Sequence, residues 1–255
     1  MIHFRNILPG ILSQDGDPAK VLADAYVVYM ASVGATVDYT TVYNIYKDEY
    51  LTDPDKDNIM DWYDFRAGSK GTGINYKLYS LIFPYRNNNL SAAATSIADN
   101  ERIVGGYLRG IDLSYFNSLG HSMRHIAKVA LLGTEVVLNL SLIPIQRFDG
   151  ASVNSNILRC TTLNRLQSLT GGLDGTTINI VSASLPTTPE IGVREVNWAT
   201  RKHILITSAS STTQSFPETT ELAQYSTLTQ NSFGTYIYGW SNAQVYWHKF
   251  YKIPS

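Results

Sequence analysis

Seven of the chain's 21 acidic residues fall within 17 positions: Asp48, Glu49, Asp53, Asp55, Asp57, Asp61 and Asp64. Counted from Asp53, the run DPDKDNIMDWYD places aspartate at positions 1, 3, 5, 9 and 12 of a twelve-residue loop, with Ile59 at position 7. Alternate carboxylates with one backbone carbonyl between them suit a hard cation. Ca²⁺ takes six to eight oxygens at ~2.3–2.6 Å, and a short loop of this pattern can wrap it. The candidate ligands are therefore Asp53, Asp55, Asp57, Asp61 and Asp64 by side chain, and Ile59 by its carbonyl.

That spacing resembles the calcium loops of EF-hands and of thrombospondin type 3-like repeats. The resemblance covers 12 of 255 residues and occurs once, whereas EF-hands pair. Two positions depart from it. Asn58 stands where glycine is expected, although asparagine tolerates a left-handed turn, and Asp64 stands where EF-hands carry a longer, bidentate glutamate. The other reading of the same residues is a solvated acidic turn whose aspartates cap a short helix through Trp62. In either case a metal here would staple a loop rather than catalyse, and no other cofactor is implied.

A second feature lies at the C-terminus, where Tyr236, Tyr238, Trp240, Tyr246 and Trp247 crowd together with Phe250 and Tyr251. An aromatic row on a sheet stacks on sugar rings, stacks on bases or anchors a neighbouring subunit. Half of such a row can equally pack into a core. His121 and His125 have the i, i+4 spacing of a helical zinc pair, but Ser122 replaces the glutamate of HExxH and no third ligand stands nearby. Nucleophile and phosphate motifs are missing: there is no GxSxG, and neither GSKGTG at 68–73 nor GGYLRG at 105–110 has the order of a phosphate cradle. Cys160 falls among leucines and reads as an inert thiol.

Helix signals open the chain. Asp17-Pro18 is a cap followed by a favoured first position, and Gly34 ends the segment. A second helix starts near Asp38 or Thr40. Residues 74–83 alternate as a strand, 91–132 and 155–169 read as largely helical, and 135–145 returns to period two. After Gly171-Gly172 strand formers dominate, with TTINIVSASL, KHILITSAS, TYIYGW and AQVYWHKFYKI as strands, the last two a hairpin turning over residues 239–242. The expected fold is a single α+β unit over residues 1–255. Mixed helices and strands fill 1–172, the helix-rich part, and an antiparallel β-rich part fills 173–255.

Composition narrows the function. Forty-four per cent hydrophobic residues exclude a disordered chain, and 20 basic against 21 acidic residues give no sign of nucleic-acid binding. The longest near-apolar run, 25–35, is too short for a membrane helix, and the first residues do not resemble a secretory signal. Serine, threonine and asparagine make 63 residues, with 17 tyrosines and 16% charge. A surface of that kind is depleted in charge, as interface cores are. The leading expectation is a non-catalytic structural protein of a large assembly, a virion component such as a capsid, connector or tail subunit. It would pair with itself and with other subunits as a homo-oligomer, in the virion or the host cytoplasm. The alternatives are a glycan- or receptor-binding β-rich module, and an enzyme whose site is assembled from dispersed residues.

Overall fold

A computed structural model describes residues 16–70, 77–84, 87–90, 96–98, 102–110, 123–131, 138–141, 145–146, 152–153, 156–160, 165–171, 177–184, 190–197, 200–215 and 236–253. Two helices come first. Helix α1, Pro18–Ser32, begins where the Asp17 carboxylate accepts the Ala19 amide at 3.0 Å, and it stops at Gly34 in the left-handed region. Helix α2, Tyr39–Asn44, begins where Asp38 accepts the Thr41 amide, and it continues into a π-helical turn, Ile45–Tyr50. Both helix starts match the caps in the sequence. The inward face of α1 is Ala19, Leu22, Ala23, Tyr26 and Met30; of Val21, Leu22, Ala25, Tyr29 and Val33, which recur at helical spacing in the sequence, only Leu22 is on it.

The strands follow: β1 Ile59–Asp64, β2 Ser69–Lys70, β3 Lys77–Tyr79, β4 Asn87–Leu90, β5 Ser96–Ala98, β6 Arg102–Gly110, β7 Met123–Leu131, β8 Leu138–Ser141, β9 Ile145–Gln146 and β10 Ser152–Val153. Then come β11 Asn156–Cys160, β12 Arg165–Gly171, β13 Thr177–Ser184, β14 Glu190–Asn197, β15 Lys202–Ile206, β16 Ser211–Ser215 and β17 Tyr236–Lys252. All pairings are antiparallel, so the fold is a mixed α+β arrangement with antiparallel sheets.

Strand β17 joins the whole. Its first part, Tyr236–Gly239, lies between β6 and β8, and its last part, Trp247–Tyr251, lies between β7 and β1. From β7 the sheet runs on through β14 and β15 to β16. On the other side it runs from β8 through β11 and β12 to β13, which packs against β15 and β16 without pairing with them. Two sheet layers thus face each other, and His203 and Leu205 point into the space between them, 0% and 1% exposed. The helices cover the opposite face, over β1 and β17. Tyr26, Met30, Ile45, Tyr46, Trp62, Leu81 and Tyr251 are buried there, each large side chain contributing ~1.5–3 kcal/mol.

Several expected elements differ. Trp62 sits in a strand, not a capped helix, because β1 pairs with β17 on one edge and meets Ser80 and Leu81 on the other. Both faces of β1 are buried, so it lacks the alternation that marks a half-exposed strand. Within 91–132 the described residues are strands. Adjacent Gly105 and Gly106 disfavour helix in β6, while β7, a sequence of helix formers, is held extended by β14 and β17 on its two edges. The expected helix 155–169 is instead the hairpin β11–β12, whose leucines come from two strands. The expected hairpin turn at 239–242 is absorbed into the single strand β17, with a register irregularity between Gly239 and Gln244.

Gly68 ends the stretch after β1 with φ of +92°, and a Cβ there would lie 2.5 Å from the Thr36 carbonyl oxygen. Substituting Gly68→Ala therefore combines backbone strain with a clash against backbone. We expect a loss of about 2–3 kcal/mol in urea denaturation, with wild-type stability ruling this reading out.

Candidate functional site

The acidic segment folds into a turn and a strand. Asp53 and Asp55 form the turn, where Asp53 Oδ1 accepts the Asp55 amide at 2.9 Å, and Asp57 lies in a single helical turn, Lys56–Asn58. From Ile59 the chain is extended, so Asp61 and Asp64 sit on β1 and do not curl back towards Asp53. Asp53, Asp55, Asp61 and Asp64 are each engaged locally or by a cation from elsewhere in the chain. Asp61 accepts the Tyr63 hydroxyl at 2.9 Å and the Trp62 amide at 3.1 Å. Asp64 takes the Arg66 guanidinium through both oxygens, at 2.9 and 2.6 Å, and Arg66 also reaches Glu49 at 2.8 Å. Asp55 takes Arg124 of β7 at 2.6 Å, and Arg124 also holds Glu195 of β14 at 3.1 Å. The structure does not bring Asp53, Asp55, Asp57, Ile59, Asp61 and Asp64 into one shell. Among the described residues no three His, Cys, Asp or Glu side chains form a group that could hold a metal ion.

What the segment builds instead is a nest for a buried amine. Lys249 of β17 pairs with Trp62 across the β1–β17 ladder. Its side chain is 8% exposed, and its Nζ lies 3.7 Å from the centroid of the Trp62 ring and 5.5 Å from that of Trp247. A desolvated ammonium over an indole face gains ~2 kcal/mol. Asp53 supplies the counter-charge at 3.6 Å, and its Oδ2 also accepts the Tyr251 hydroxyl at 2.6 Å. Burial pushes the Lys249 ammonium below its ordinary value, opposed by the charges of Asp53, Glu49 and Asp64. Burial also pushes the Tyr251 hydroxyl well above the usual phenol range, helped by its hydrogen bond to Asp53. The cation and aromatic partners of this nest lie some 190 residues from the acidic segment. Only the period-two spacing of Trp247, Lys249 and Tyr251 could have hinted at them.

Of the aromatic candidates, Trp247 is buried, 9% exposed, with Lys249 Nζ 5.5 Å from its ring centroid. Tyr246 is half-buried at a bulge where β17 gains one residue on β7, and Lys128 Nζ stands 5.4 Å from its ring centroid. Tyr236 and Tyr238 occupy the part of β17 flanked by β6 and β8, and Trp240 follows it in the register irregularity after Gly239. His125 is in strand β7 opposite Phe250, not in a helix, and His121 lies outside the described residues. Cys160 ends β11 opposite Leu166.

Removing Asp53 strands the Lys249 charge in a dry site. Asp53→Ala is expected to cost about 3 kcal/mol, and adding Lys249→Met to it to recover most of that loss. Additive costs in the double-mutant cycle would contradict the pairing. The pH sign for Tyr251 follows from its raised value. Stability is full below its ordinary value of 10.0 and is lost as pH rises through the folded value. Tyr251→Phe should be less stable at pH 8 and lose less between about pH 9.5 and 11 in urea titrations. Lys249 has the opposite sign, since the unfolded chain binds its proton more tightly, so the same series in Lys249→Met separates the two.

No protein-family model matches the sequence, and no curated protein matches it. Solved structures do resemble the fold. The receptor-binding domain of botulinum neurotoxin mosaic serotype C/D superposes with a TM-score of 0.54 at 5% identity, covering 78% of this chain and 48% of that one. The receptor-binding domain of botulinum neurotoxin D gives 0.51 at 6%, covering 78% and 50%. A sialidase of Trypanosoma rangeli gives 0.48 at 10%, covering 78% and 31%. The chain thus spans about half the length of the receptor-binding domains it matches. At these identities the likeness is one of fold, and most of this chain shares a β-rich architecture with domains named for receptor binding.

Proposed function

We propose that the chain is a β-rich recognition module that binds a receptor or a glycan and carries out no catalysis. The observation that supports this is the fold likeness to receptor-binding domains over 78% of the chain. The electrostatics fit the same reading. Asp53, Asp55, Asp61 and Asp64 are engaged by Lys249, Arg124, Tyr63 and Arg66, so these charges tie elements together rather than wait for a substrate. The virion reading rests on composition alone, and the fold likeness favours recognition over it. Calcium has no assembled shell in the acidic segment to support it. Among the described residues no helix is long and apolar enough to cross a membrane.

Within this reading Tyr246 is the aromatic contact we favour, with Tyr236, Tyr238 and Trp240 of the same strand as further contacts. An aromatic ring gives a sugar or a protein side chain a broad face at low entropic cost. A glycan array and saturation binding to intact cells test the proposal. Specific binding is expected on at least one, weakened about tenfold by Tyr246→Ala, the scale of a modest interface hot spot. A blank array together with no saturable cell binding would overturn it.

A further inference from the structure

The sheet face beneath the helices does not end where they end. Reading across the registers, Trp247, Lys249 and Tyr251 of β17 share a face with Lys128, Ile126 and Arg124 of β7. These in turn align with Ile191, Val193 and Glu195 of β14, and then with Ile206 and Ile204 of β15. Exposure rises steadily along this layer. Lys249 and Tyr251 are buried, Ile126 is half-buried against the helical core, and Ile206 and Ile191 are 41% and 48% exposed. The residues that alternate with Ile204 and Ile206 on β15, His203 and Leu205, are on its other, buried face.

The open half of this face has a definite chemistry. Ile191, Val193, Ile204 and Ile206 are mutual neighbours on two paired strands, an aliphatic patch of the kind that marks interaction sites. Lys128 adjoins Ile191 at one corner and Lys202 adjoins Ile204 at the other. Six residues of strand separate their rows, ~20 Å. Neither lysine has a carboxylate partner among the described residues, and Glu195, the carboxylate on this part of the face, is held by Arg124. A chain of net charge −1 therefore presents a locally positive, aliphatic shelf.

We propose that this shelf of β14 and β15 docks an acidic amphipathic helix of a protein partner. Two observations select that occupant. The neighbouring half of the same face is already covered by helices, α1 and α2, so the layer offers a helix the surface it offers its own. The two lysines, ~20 Å apart, match the ends of a helix of about 14 residues that carries carboxylates around an aliphatic stripe. A strand face with flat-lying isoleucines and flanking Ser211, Thr213 and Ser215 has the apolar centre and polar rim of a protein interface, not the protruding apolar tip that enters lipid. The inference rests on the recognition-module reading and names the partner class for it.

The test uses a synthetic 14-residue helical peptide with a leucine stripe and glutamates at both ends, and a counterpart with lysine for glutamate. The acidic peptide is expected to bind the full chain and shift amide resonances of β14 and β15. Ile206→Asp, and separately Lys128→Glu with Lys202→Glu, should each weaken it about tenfold. The double charge reversal should bind the lysine peptide about tenfold better than wild type does. Ile206 and Lys202 are exposed and Lys128 is half-buried, and unchanged melting of the variants confirms folding. Equal affinity of wild type and Ile206→Asp, or shifts away from β14 and β15, overturns the proposal. So does binding to phosphatidylcholine vesicles containing phosphatidylserine without binding to the peptide. Array or cell binding that Ile206→Asp leaves intact refutes this shelf while the recognition reading stands; peptide binding with blank array and cells does the reverse.

Discussion

A lysine ammonium cannot be taken out of water without compensation, and Lys249 is taken almost wholly out of water at the point where helices and sheet meet. The solution is assembled from three separate parts of the chain. Trp62 of β1 offers its ring face, Trp247 of β17 a second, more distant ring, and Asp53 of the turn before β1 a carboxylate. This requirement fixes the register of β1 on β17, because a slip of one residue would turn Trp62 to the other face of the strand, away from Lys249. It also fixes where the helical unit sits, since Asp53 follows directly on the π-helical turn and accepts the Tyr251 hydroxyl as well. A paired buried charge adds little net stability compared with an apolar residue of the same size, but it penalises every alternative arrangement that would leave it unpaired.

The same chemistry explains why the acidic segment looks like a cation site in the sequence. Closely spaced carboxylates need positive charge nearby, and a bound metal is one way to supply it. Here the cations are Arg66, Arg124 and Lys249, two of them contributed by strands far along the chain. Spacing within a twelve-residue window reports the demand for charge, not its source. Nothing in DPDKDNIMDWYD distinguishes a loop that wraps an ion from a turn that receives lysine and arginine from β17 and β7.

The parts of the fold that depend on local chemistry were legible. Asp17-Pro18, Gly34 and Asp38 act through hydrogen bonds and backbone preferences spanning a few residues, and the helices begin and end where those residues stand. The strand from 202 was readable because alternation on a half-buried sheet survives in the sequence, and at the C-terminus the strand character was legible while the continuity of β17 through 239–242 was not. Strand β1 was hidden because both its faces are covered, β7 because its helix-forming residues are overruled by pairing on both edges, and β11–β12 because leucines from two strands fall by chance near helical spacing. In each case the deciding contacts are with residues tens of positions away.

The low charge of the chain takes on a more specific meaning in this light. The charges described in detail concentrate at the seam, where Glu49, Asp53, Asp55, Asp64, Arg66, Arg124, Glu195 and Lys249 neutralise one another between elements. Charge spent there is not available for solvation of the outer sheet face, which is left to serine, threonine, isoleucine and two lysines. A face so composed is weakly hydrated, and its lysines give an approaching partner a direction without the desolvation cost of a dense charged patch. A composition poor in charge is thus compatible with the proposed recognition surface as well as with a subunit buried among copies of itself, because part of the little charge there is serves to tie elements of the fold together.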